Sequence, residues 1–307
     1  MEKANGENAL NTAEKCCFIC GEINFDKRTT EYRRCLRCGH EILLQSQSQG
    51  FILNDPLNEK DVRKLSALDR FKTSVLNQCE GSASLNRLID IGSASGKFLL
   101  HNGARYEKAY GLEITPEAVV FSRDVLGLNI VADIHAVPSG ISTATAWHSL
   151  EHIPEEVLLN ILAALSKKMP SGAKFIVSVP NSASRQYRWF GSAYAYYDVP
   201  NHLHQFTTGS LTLLLNKYNF STDKIFNSRV YNNFGYIQSL LNIASGTHNY
   251  LYYRVKRRSR EPSLALDIIN ILMLPLMVPL GWILGLLDSI DLRTQGVITI
   301  CFQKKPF

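Results

Sequence analysis

The chain begins without an apolar segment, because residues 1–15 lack the hydrophobic core of a secretory signal peptide. We therefore expect a cytoplasmic protein with a disordered tail over residues 1–15. The sequence also lacks a strong charge excess and a clear nucleic-acid recognition module, since its 307 residues carry a formal net charge of +6. Two basic clusters, residues 33–37 and 254–260, suit either a solvated surface or an anionic partner.

Cysteine is scarce after residue 38, because five of the seven cysteines lie between Cys16 and Cys38. In a reducing compartment, this crowding favours a bound metal over disulfides. Four of them form two Cys-x-x-Cys pairs, each followed by glycine: Cys17, Cys20, Cys35 and Cys38. Such spacing lets one tight turn present two sulfurs to one ion, and a four-thiolate site leaves no position open for catalysis. The pattern predicts a structural zinc ribbon over residues 16–44, with a redox or disulfide pair as the alternative.

The rest of the chain predicts an α/β fold. With 45% hydrophobic residues, it can form one full core and a small accessory unit. Strand-like and helix-like segments alternate, which indicates a doubly wound, mostly parallel sheet with helices on both faces. The predicted strands cover residues 87–91, 109–112, 129–132, 143–147, 173–179, 222–230 and 296–303, and the predicted helices residues 96–102, 116–126, 154–168 and 210–217. We divide the chain into a linker and connecting helix over residues 45–84, the sheet domain over residues 85–230 and 292–307, and an apolar helical insertion over residues 231–291.

A short apolar strand leads into a loop of small residues and then a helix over residues 88–99. Gly92 and Gly96 let the backbone approach a ligand, and Glu113 at the end of the next strand can bind both hydroxyls of a ribose. The pattern predicts an adenosine-containing cofactor. A dinucleotide site would have a third glycine in place of Lys97, so a nucleoside without phosphates is favoured. The alternative for Glu113 is an exposed carboxylate at a strand end.

These residues resemble motif I of class I S-adenosylmethionine-dependent methyltransferases. Residues 131–134, 144–154 and 201–207 resemble, in order, segments of the methyltransferase-23 branch that includes ubiquinone O-methyltransferases. The resemblance implies a seven-stranded Rossmann-like sheet whose last strand is antiparallel. The cofactor-binding residues that it implies are Asp90, Gly92, Ser93, Ala94, Gly96, Glu113, Ile114, Asp133, Ile134 and Trp147. Ala94 departs from the family, in which glycine is usual, and a helix N-cap is the alternative role for Asp133.

Histidines and a carboxylate follow the fourth and fifth strands of the predicted sheet. His148, Glu151 and His152 share one face if a helical turn begins there, and His202 and His204 come from the same edge of the sheet. Either His152 or His202 could be a general base that accepts a hydroxyl proton. Alternatively, a divalent metal that orients two neighbouring hydroxyls could be bound by His148, Glu151, His152 and one of His202 and His204. In a third interpretation, Glu151 and His152 only stabilise the loop. The metal arrangement resembles that of small-RNA 2′-O-methyltransferases and metal-dependent quinone O-methyltransferases, although His148 replaces their glutamate.

Two further segments each fit more than one interpretation of the sequence. The aromatic residues at 187–190 and 194–197 predict either an acceptor-side lid or ordinary core packing. Residues 268–287 contain no charge and are long enough to cross a bilayer, but a single span would separate the last strand from its sheet. Pro275 and Pro279 then favour two short helices in peripheral contact with a membrane through residues 264–287. A buried or dimer-forming cap and a true span are the alternatives.

Together, these patterns predict an S-adenosylmethionine-dependent enzyme that O-methylates a small molecule, a sugar or a lipid-linked glycan. We expect it in the cytoplasm or at the inner face of the membrane, with S-adenosylmethionine and structural zinc as cofactors. If the histidine cluster binds a metal, a second divalent ion is expected there. RNA 2′-O-methylation, quinone O-methylation and a non-catalytic cofactor-binding module are the alternatives. Zinc ribbons also bind nucleic acid, but the small charge excess makes that partner the weaker one.

Overall fold

The protein is described here by a computed structural model that covers residues 16–27, 29–44, 57–80, 86–256 and 263–306. The predicted tail, residues 1–15, and the polar segment 45–50 lie outside the described residues. The strands are β1 (Phe25–Lys27), β2 (Tyr32–Cys35), β3 (Glu41–Leu43), β4 (Arg87–Ile91), β5 (Lys108–Leu112), β6 (Ile130–Val131), β7 (Thr143–Trp147), β8 (Lys174–Pro180), β9 (His204–Gln205), β10 (Phe220–Phe226) and β11 (Val297–Lys304). The α-helices are α1 (Glu59–Arg63), α2 (Ala67–Glu80), α3 (Lys97–Asn102), α4 (Pro116–Val120), α5 (Glu155–Lys168), α6 (Arg185–Phe190), α7 (Thr208–Asn216), α8 (Arg229–Ser245), α9 (Tyr250–Val255) and α10 (Leu264–Asp288).

The main sheet has seven strands within the described residues, in the order β10-β11-β8-β7-β4-β5-β6. The five strands from β8 to β6 are parallel, and β11 is antiparallel to both of its neighbours, β8 and β10. This topology confirms the predicted fold class, including the antiparallel last strand. The bounds of β4 and β7 agree with the prediction to the residue, whereas β6 is only two residues long.

Helices cover both faces of this sheet. Side chains alternate along each strand, so both faces present apolar residues to the helices. In β8, Phe175 and Val177 face a core formed with α5 and α7, whereas Ile176 faces a core formed with α2 and α3. The central strand β7 is buried along its whole length. Burial on both faces is the doubly wound arrangement that the alternation of segments predicts.

The cysteine-rich segment joins the main domain through a second sheet of four strands, β1-β2-β3-β9, among the described residues. β3 pairs antiparallel with β9, so that Ile42 lies opposite His204. Tyr32 of β2 is fully buried, and its hydroxyl donates to the carbonyl oxygen of His202 at 2.7 Å. The ribbon segment is therefore packed against the same loop that carries the predicted site histidines.

The predicted connecting helix over residues 59–79 is two helices, α1 and α2. Ser66 and Asp69 cause the break, because they form a reciprocal cap at the start of α2. The Ser66 backbone N–H donates to Asp69 Oδ2 at 2.7 Å, and the Asp69 N–H donates to Ser66 Oγ at 3.3 Å. The helical periodicity of the segment is the same on both sides of the break, so the pattern alone does not reveal it.

The apolar insertion contains one continuous helix of 25 residues, α10, with Pro275 and Pro279 inside it. The prediction of two short helices is therefore wrong. By length and composition alone, α10 is the one helix within the described ranges that could cross a membrane. Each proline removes one backbone hydrogen bond, and contact with α8 offsets that loss. Gly281 and Gly285 are buried in this contact, against Ile237 and Asn233 of α8.

We predict that Gly281→Val destabilises the protein. A Cβ atom at Gly281 would lie 2.5 Å from Ile237 Cγ1 and 2.9 Å from the Ile237 backbone nitrogen, so α10 would have to move away from α8. Overpacking of this kind costs about 1–3 kcal/mol, measurable as a lower thermal midpoint. The control is Gly209→Ala, where the nearest atom to a new Cβ is 3.7 Å away. Equal midpoints for both variants would contradict the close packing.

Candidate functional site

The loop between β4 and α3 has the conformation that close approach to a ligand requires. Gly92 and Gly96 have φ values of +69° and +73°, in the left-handed region that favours glycine. A Cβ atom at Gly92 would lie 2.5 Å from Ser149 Cβ, so the segment after β7 packs directly on the loop. Ala94 also has a positive φ, of +47°, which explains why glycine is usual there. The predicted cofactor loop and the predicted histidine segment are therefore neighbours.

Glu113 lies at the end of β5, beside this loop, and is only 6% exposed. Its Oε2 accepts the N–H of Ala94 at 2.8 Å, and its Oε1 accepts the N–H groups of Ile114 and Thr115 at 2.8 Å each. The carboxylate thus joins the ends of two neighbouring strands. Glu113 therefore lies at a strand end, but its carboxylate is buried against the loop and not exposed. The side chain of the next residue, Ile114, is 73% exposed.

Several buried polar groups line the same edge of the sheet. Asp90 is buried in β4 and accepts the hydroxyl of Thr145 at 2.6 Å. Ser93 Oγ and Trp147 Nε1 are buried, and no described residue gives either of them a hydrogen bond. Buried polar atoms are normally paired, so these two fit a site that a polar ligand completes. The residues present are compatible with S-adenosylmethionine.

Asp133 and Ile134 follow β6 and differ from each other in their surroundings. Asp133 is exposed and caps a 3-10 turn, since its Oδ1 accepts the N–H of His135 at 2.8 Å. Ile134 is 2% exposed and belongs to the hydrophobic core. The N-cap role that the sequence left open for Asp133 is present, and its contact with the cofactor stays a prediction.

Glu151 and His152, which follow β7, form a compact cluster with His202, which precedes β9. One ligand atom from each lies within 4.8 Å of the others. His152 Nδ1 lies 2.9 Å from the carbonyl oxygen of Asn201, and the rings of His152 and His202 are 4.6 Å apart. Since a carbonyl oxygen only accepts, this contact puts the proton on Nδ1 and the lone pair on Nε2 of His152. The segment that carries His202 therefore orients the imidazole of His152.

The carboxylate of Glu151 is fully buried, and no described residue forms a hydrogen bond with it. The nearest basic group is His148, whose Nδ1 lies 3.5 Å from Oε1. Burial raises the pKa of Glu151, but His148, His152 and His202 together lower it below its usual value. Burial lowers the pKa of His202 to about 4, so His202 is neutral at neutral pH. A fully buried carboxylate that receives no hydrogen bond from the described residues favours a cation at this position.

His148 and His204 lie to either side of this cluster. The His148 ring packs against Tyr231 of α8, with 4.7 Å between ring centroids, and stacks on Tyr196 at 5.8 Å. His204 does not join the cluster, and a catalytic role for it stays a prediction. Pairing of β9 with β3 turns His204 toward the ribbon, where it stacks on His40 at 5.3 Å. Burial lowers the pKa of His204 to about 4.

The aromatic segments after β8 form a packed cluster. Tyr187, Tyr194 and Tyr197 surround the buried Tyr32 of the ribbon. The Tyr187 hydroxyl donates to the buried Glu41 carboxylate at 2.7 Å. Of the two predicted alternatives, the structure shows core packing for these three tyrosines. The sequence offered no signal for Ser149, which contacts the loop at Gly92, or for Tyr231, which contacts His148. Their partners are distant in the chain.

The four cysteines of the ribbon converge with the geometry of a metal site. Cys17 Sγ lies 3.6 Å from Cys38 Sγ, and Cys20 Sγ lies 3.4 Å from Cys35 Sγ. A disulfide would require about 2.05 Å, whereas four sulfurs at about 2.3 Å around one zinc ion are separated by distances of this size. A hydrogen bond from Cys38 lowers the pKa of Cys17 to about 5, which favours the thiolate. The donors and their spacing fit zinc.

Known proteins resemble this chain in sequence profile and in fold. The profile of the methyltransferase-23 family, described as a methyltransferase domain, matches residues 59–225. The structure is similar to that of the (4+2)-cyclase SpnF, at 15% identity over 81% of this chain and 86% of that chain, with a TM-score of 0.50. A proposed sarcosine dimethylglycine methyltransferase from Galdieria sulphuraria is similar at 11% identity over 78% and 85%, also with a TM-score of 0.50. No functionally curated protein matches the sequence.

At such identities the similar structures establish the fold alone, as the presence of a cyclase among them illustrates. The family match carries more, because residues 59–225 are over half of the chain and contain the loop, Glu113, Glu151 and His152. The glycines and unpaired polar groups around that loop agree with the cofactor of the family. The chain belongs to the methyltransferase-23 family and is a class I S-adenosylmethionine-dependent methyltransferase.

Proposed function

We propose that this enzyme methylates a hydroxyl group, with a sugar or a lipid-linked glycan as the acceptor. The observation that carries the proposal is the cluster of Glu151, His152 and His202 beside the cofactor loop. A hydroxyl acceptor must lose a proton during methylation, whereas an acceptor that reacts through a neutral amine lone pair need not lose it first. A histidine next to a carboxylate is suited to accept that proton.

His152 is the proposed general base. S-adenosylmethionine supplies a methyl group on a positively charged sulfur when it is bound. Its sulfur would keep the electron pair of the broken carbon–sulfur bond as the methyl group passes to the acceptor oxygen, and Nε2 of His152 would take the hydroxyl proton. The Asn201 carbonyl supports this role because it holds the proton on Nδ1. Glu151 then stabilises the imidazolium that forms.

A divalent metal at Glu151, His152 and His202 is the second candidate arrangement. The buried Glu151 carboxylate, which has no hydrogen-bond partner among the described residues, favours it. A metal held there would position two neighbouring hydroxyl groups and lower the pKa of one of them. Quinone and RNA 2′-O-methylation belong to this alternative. Two histidines and one carboxylate suit a transition metal better than Mg²⁺.

The lipid-linked acceptor is proposed because α8 and the apolar helix α10 that packs on it lie beside His148. Tyr231, in the first turn of α8, contacts His148, and α10 packs along α8. We propose in addition that Cys17, Cys20, Cys35 and Cys38 hold a structural zinc ion. That ion would stabilise the ribbon sheet, whose β3 pairs with β9 next to His202.

We predict that Glu113→Gln weakens binding of S-adenosylhomocysteine, measured by calorimetry, by about 10- to 100-fold. The amide has one acceptor oxygen in place of two, and a hydrogen bond to a charged group contributes about 1.5–3 kcal/mol. Glu117→Gln, on the exposed side of α4, is the matched control and should bind normally. A folded Glu113→Gln protein with unchanged affinity would contradict the assignment of the site.

We predict that cells lacking the gene lose one methyl group from a lipid or saccharide pool, detected by mass spectrometry. The wild-type gene restores the product, whereas His152→Ala does not, because loss of a general base slows the reaction by about 10²- to 10⁴-fold. His101→Ala is the control, since His101 instead contacts the carbonyl oxygen of Val62. Loss of methyl groups from the quinone or RNA pool alone would favour the second candidate.

We predict that the purified protein contains about one equivalent of zinc by elemental analysis, which Cys17→Ser with Cys35→Ser removes. Cys16→Ser is the control, because Cys16 is the exposed neighbour outside the cluster. A second equivalent that is lost in His152→Ala with His202→Ala would establish the metal arrangement at the histidines. A metal-free, folded wild-type protein would overturn the zinc proposal.

A further inference from the structure

α10 has a wide apolar face that no described residue covers. The large exposed side chains on it are 53–70% accessible: Ile271, Leu272, Leu276, Trp282 and Ile283. Contiguous apolar surface of this kind is uncommon on a soluble monomer and marks an interaction site. Among the residues of α10, only Asn270, Gly281, Gly285 and Asp288 are buried.

Both ends of α10 are attached to the body of the same domain. At the first end, Asp267 pairs with Arg254 of α9 at 3.2 Å. At the other end, the fully buried Asp288 pairs with Arg185 at 3.1 Å and accepts the hydroxyl of Tyr236 at 3.1 Å. The glycine contact with α8 lies between them. A bilayer can therefore reach the outer face of α10 but cannot surround the helix.

Positive charge lies before the first end of this apolar face, and no charge lies within it. Lys256 is exposed beyond the first end, and the sequence continues with Arg257, Arg258 and Arg260. At the other end, beyond Asp288, Arg293 is exposed and Asp291 is half-buried. Residues 268–287 carry no charge, so the face is apolar and follows a basic segment of the sequence. This distribution complements an anionic membrane surface, and a tryptophan such as Trp282 suits the boundary between headgroups and acyl chains.

We propose that the outer face of α10 binds an anionic lipid bilayer with the helix axis in the plane of the membrane. A helix of 25 residues is about 37 Å long and would lie on the surface as an interfacial helix does. The helix on its inner side, α8, places Tyr231 against His148. The membrane surface and the histidine side of the site are thus separated by one helix layer. This proposal rests on the surface of α10 and does not require the proposed acceptor.

The test is cosedimentation of the full-length protein with lipid vesicles. The probes are vesicles of phosphatidylcholine alone and of equimolar phosphatidylcholine and phosphatidylglycerol. We expect binding to the anionic vesicles, weakened by salt. Leu272→Glu with Ile283→Glu should lower the partition coefficient at least about tenfold, because two apolar side chains are replaced by charges. Val157→Glu with Leu213→Glu, at exposed positions of α5 and α7, is the matched control and should bind normally.

The orientation is tested with brominated lipids. Bromine near the headgroups should quench tryptophan fluorescence more strongly than bromine at the chain ends, and the opposite order would contradict an interfacial helix. Absence of wild-type binding to anionic vesicles would overturn the proposal. So would a wild-type dimer that the Leu272→Glu, Ile283→Glu variant dissociates, because a second copy would then cover the face. Affinity for S-adenosylhomocysteine, measured in every variant, reports separately on the methyltransferase site.

Discussion

Parallel pairing of β4 with β5 and with β7 is the constraint on which the site depends. It brings the ends of three strands to one edge, where β4 supplies the glycine loop, β5 supplies Glu113 and β7 leads to the histidine segment. The hydrogen bond from the Ala94 amide to Glu113 joins two of these ends directly. Because the strands are buried on both faces, their relative position has little freedom, so the loop and carboxylate are held ready before a ligand binds.

The ribbon is part of this arrangement, although its own sequence describes a separate module. β3 extends onto β9, the Tyr32 hydroxyl donates to the carbonyl of His202, and Tyr187 donates to Glu41. These contacts determine where the segment that carries Asn201 and His202 lies, and Asn201 in turn orients His152. A metal that stabilises four thiolates would therefore stabilise one wall of the site.

The apolar helix shows how packing changes what a local pattern means. Two prolines would normally interrupt a helix, but the close contact of Gly281 and Gly285 with α8 and the buried Asp288 hold α10 in one piece. Those attachments also keep the helix beside the sheet domain. The apolar side chains of α10 then face outward, and α8 lies between them and His148. This arrangement agrees with the proposed lipid-linked acceptor.

Much of the framework could be predicted, because strand alternation, the glycine loop and paired cysteines are local patterns with periodic or steric causes. The seven-stranded sheet and the convergence of the four cysteines follow from such patterns. The orientation of His204 could not be predicted, since it depends on pairing between β9 and a strand about 160 residues earlier. The same holds for the choice between His202 and His204 as the neighbour of Glu151, and for the continuity of α10. The sequence by itself determined the fold class and, through the family resemblance of its motifs, the cofactor, because each motif consists of residues close together in the chain. Only the tertiary structure decided which histidines meet and which face of α10 is left uncovered, because those outcomes depend on contacts between distant segments.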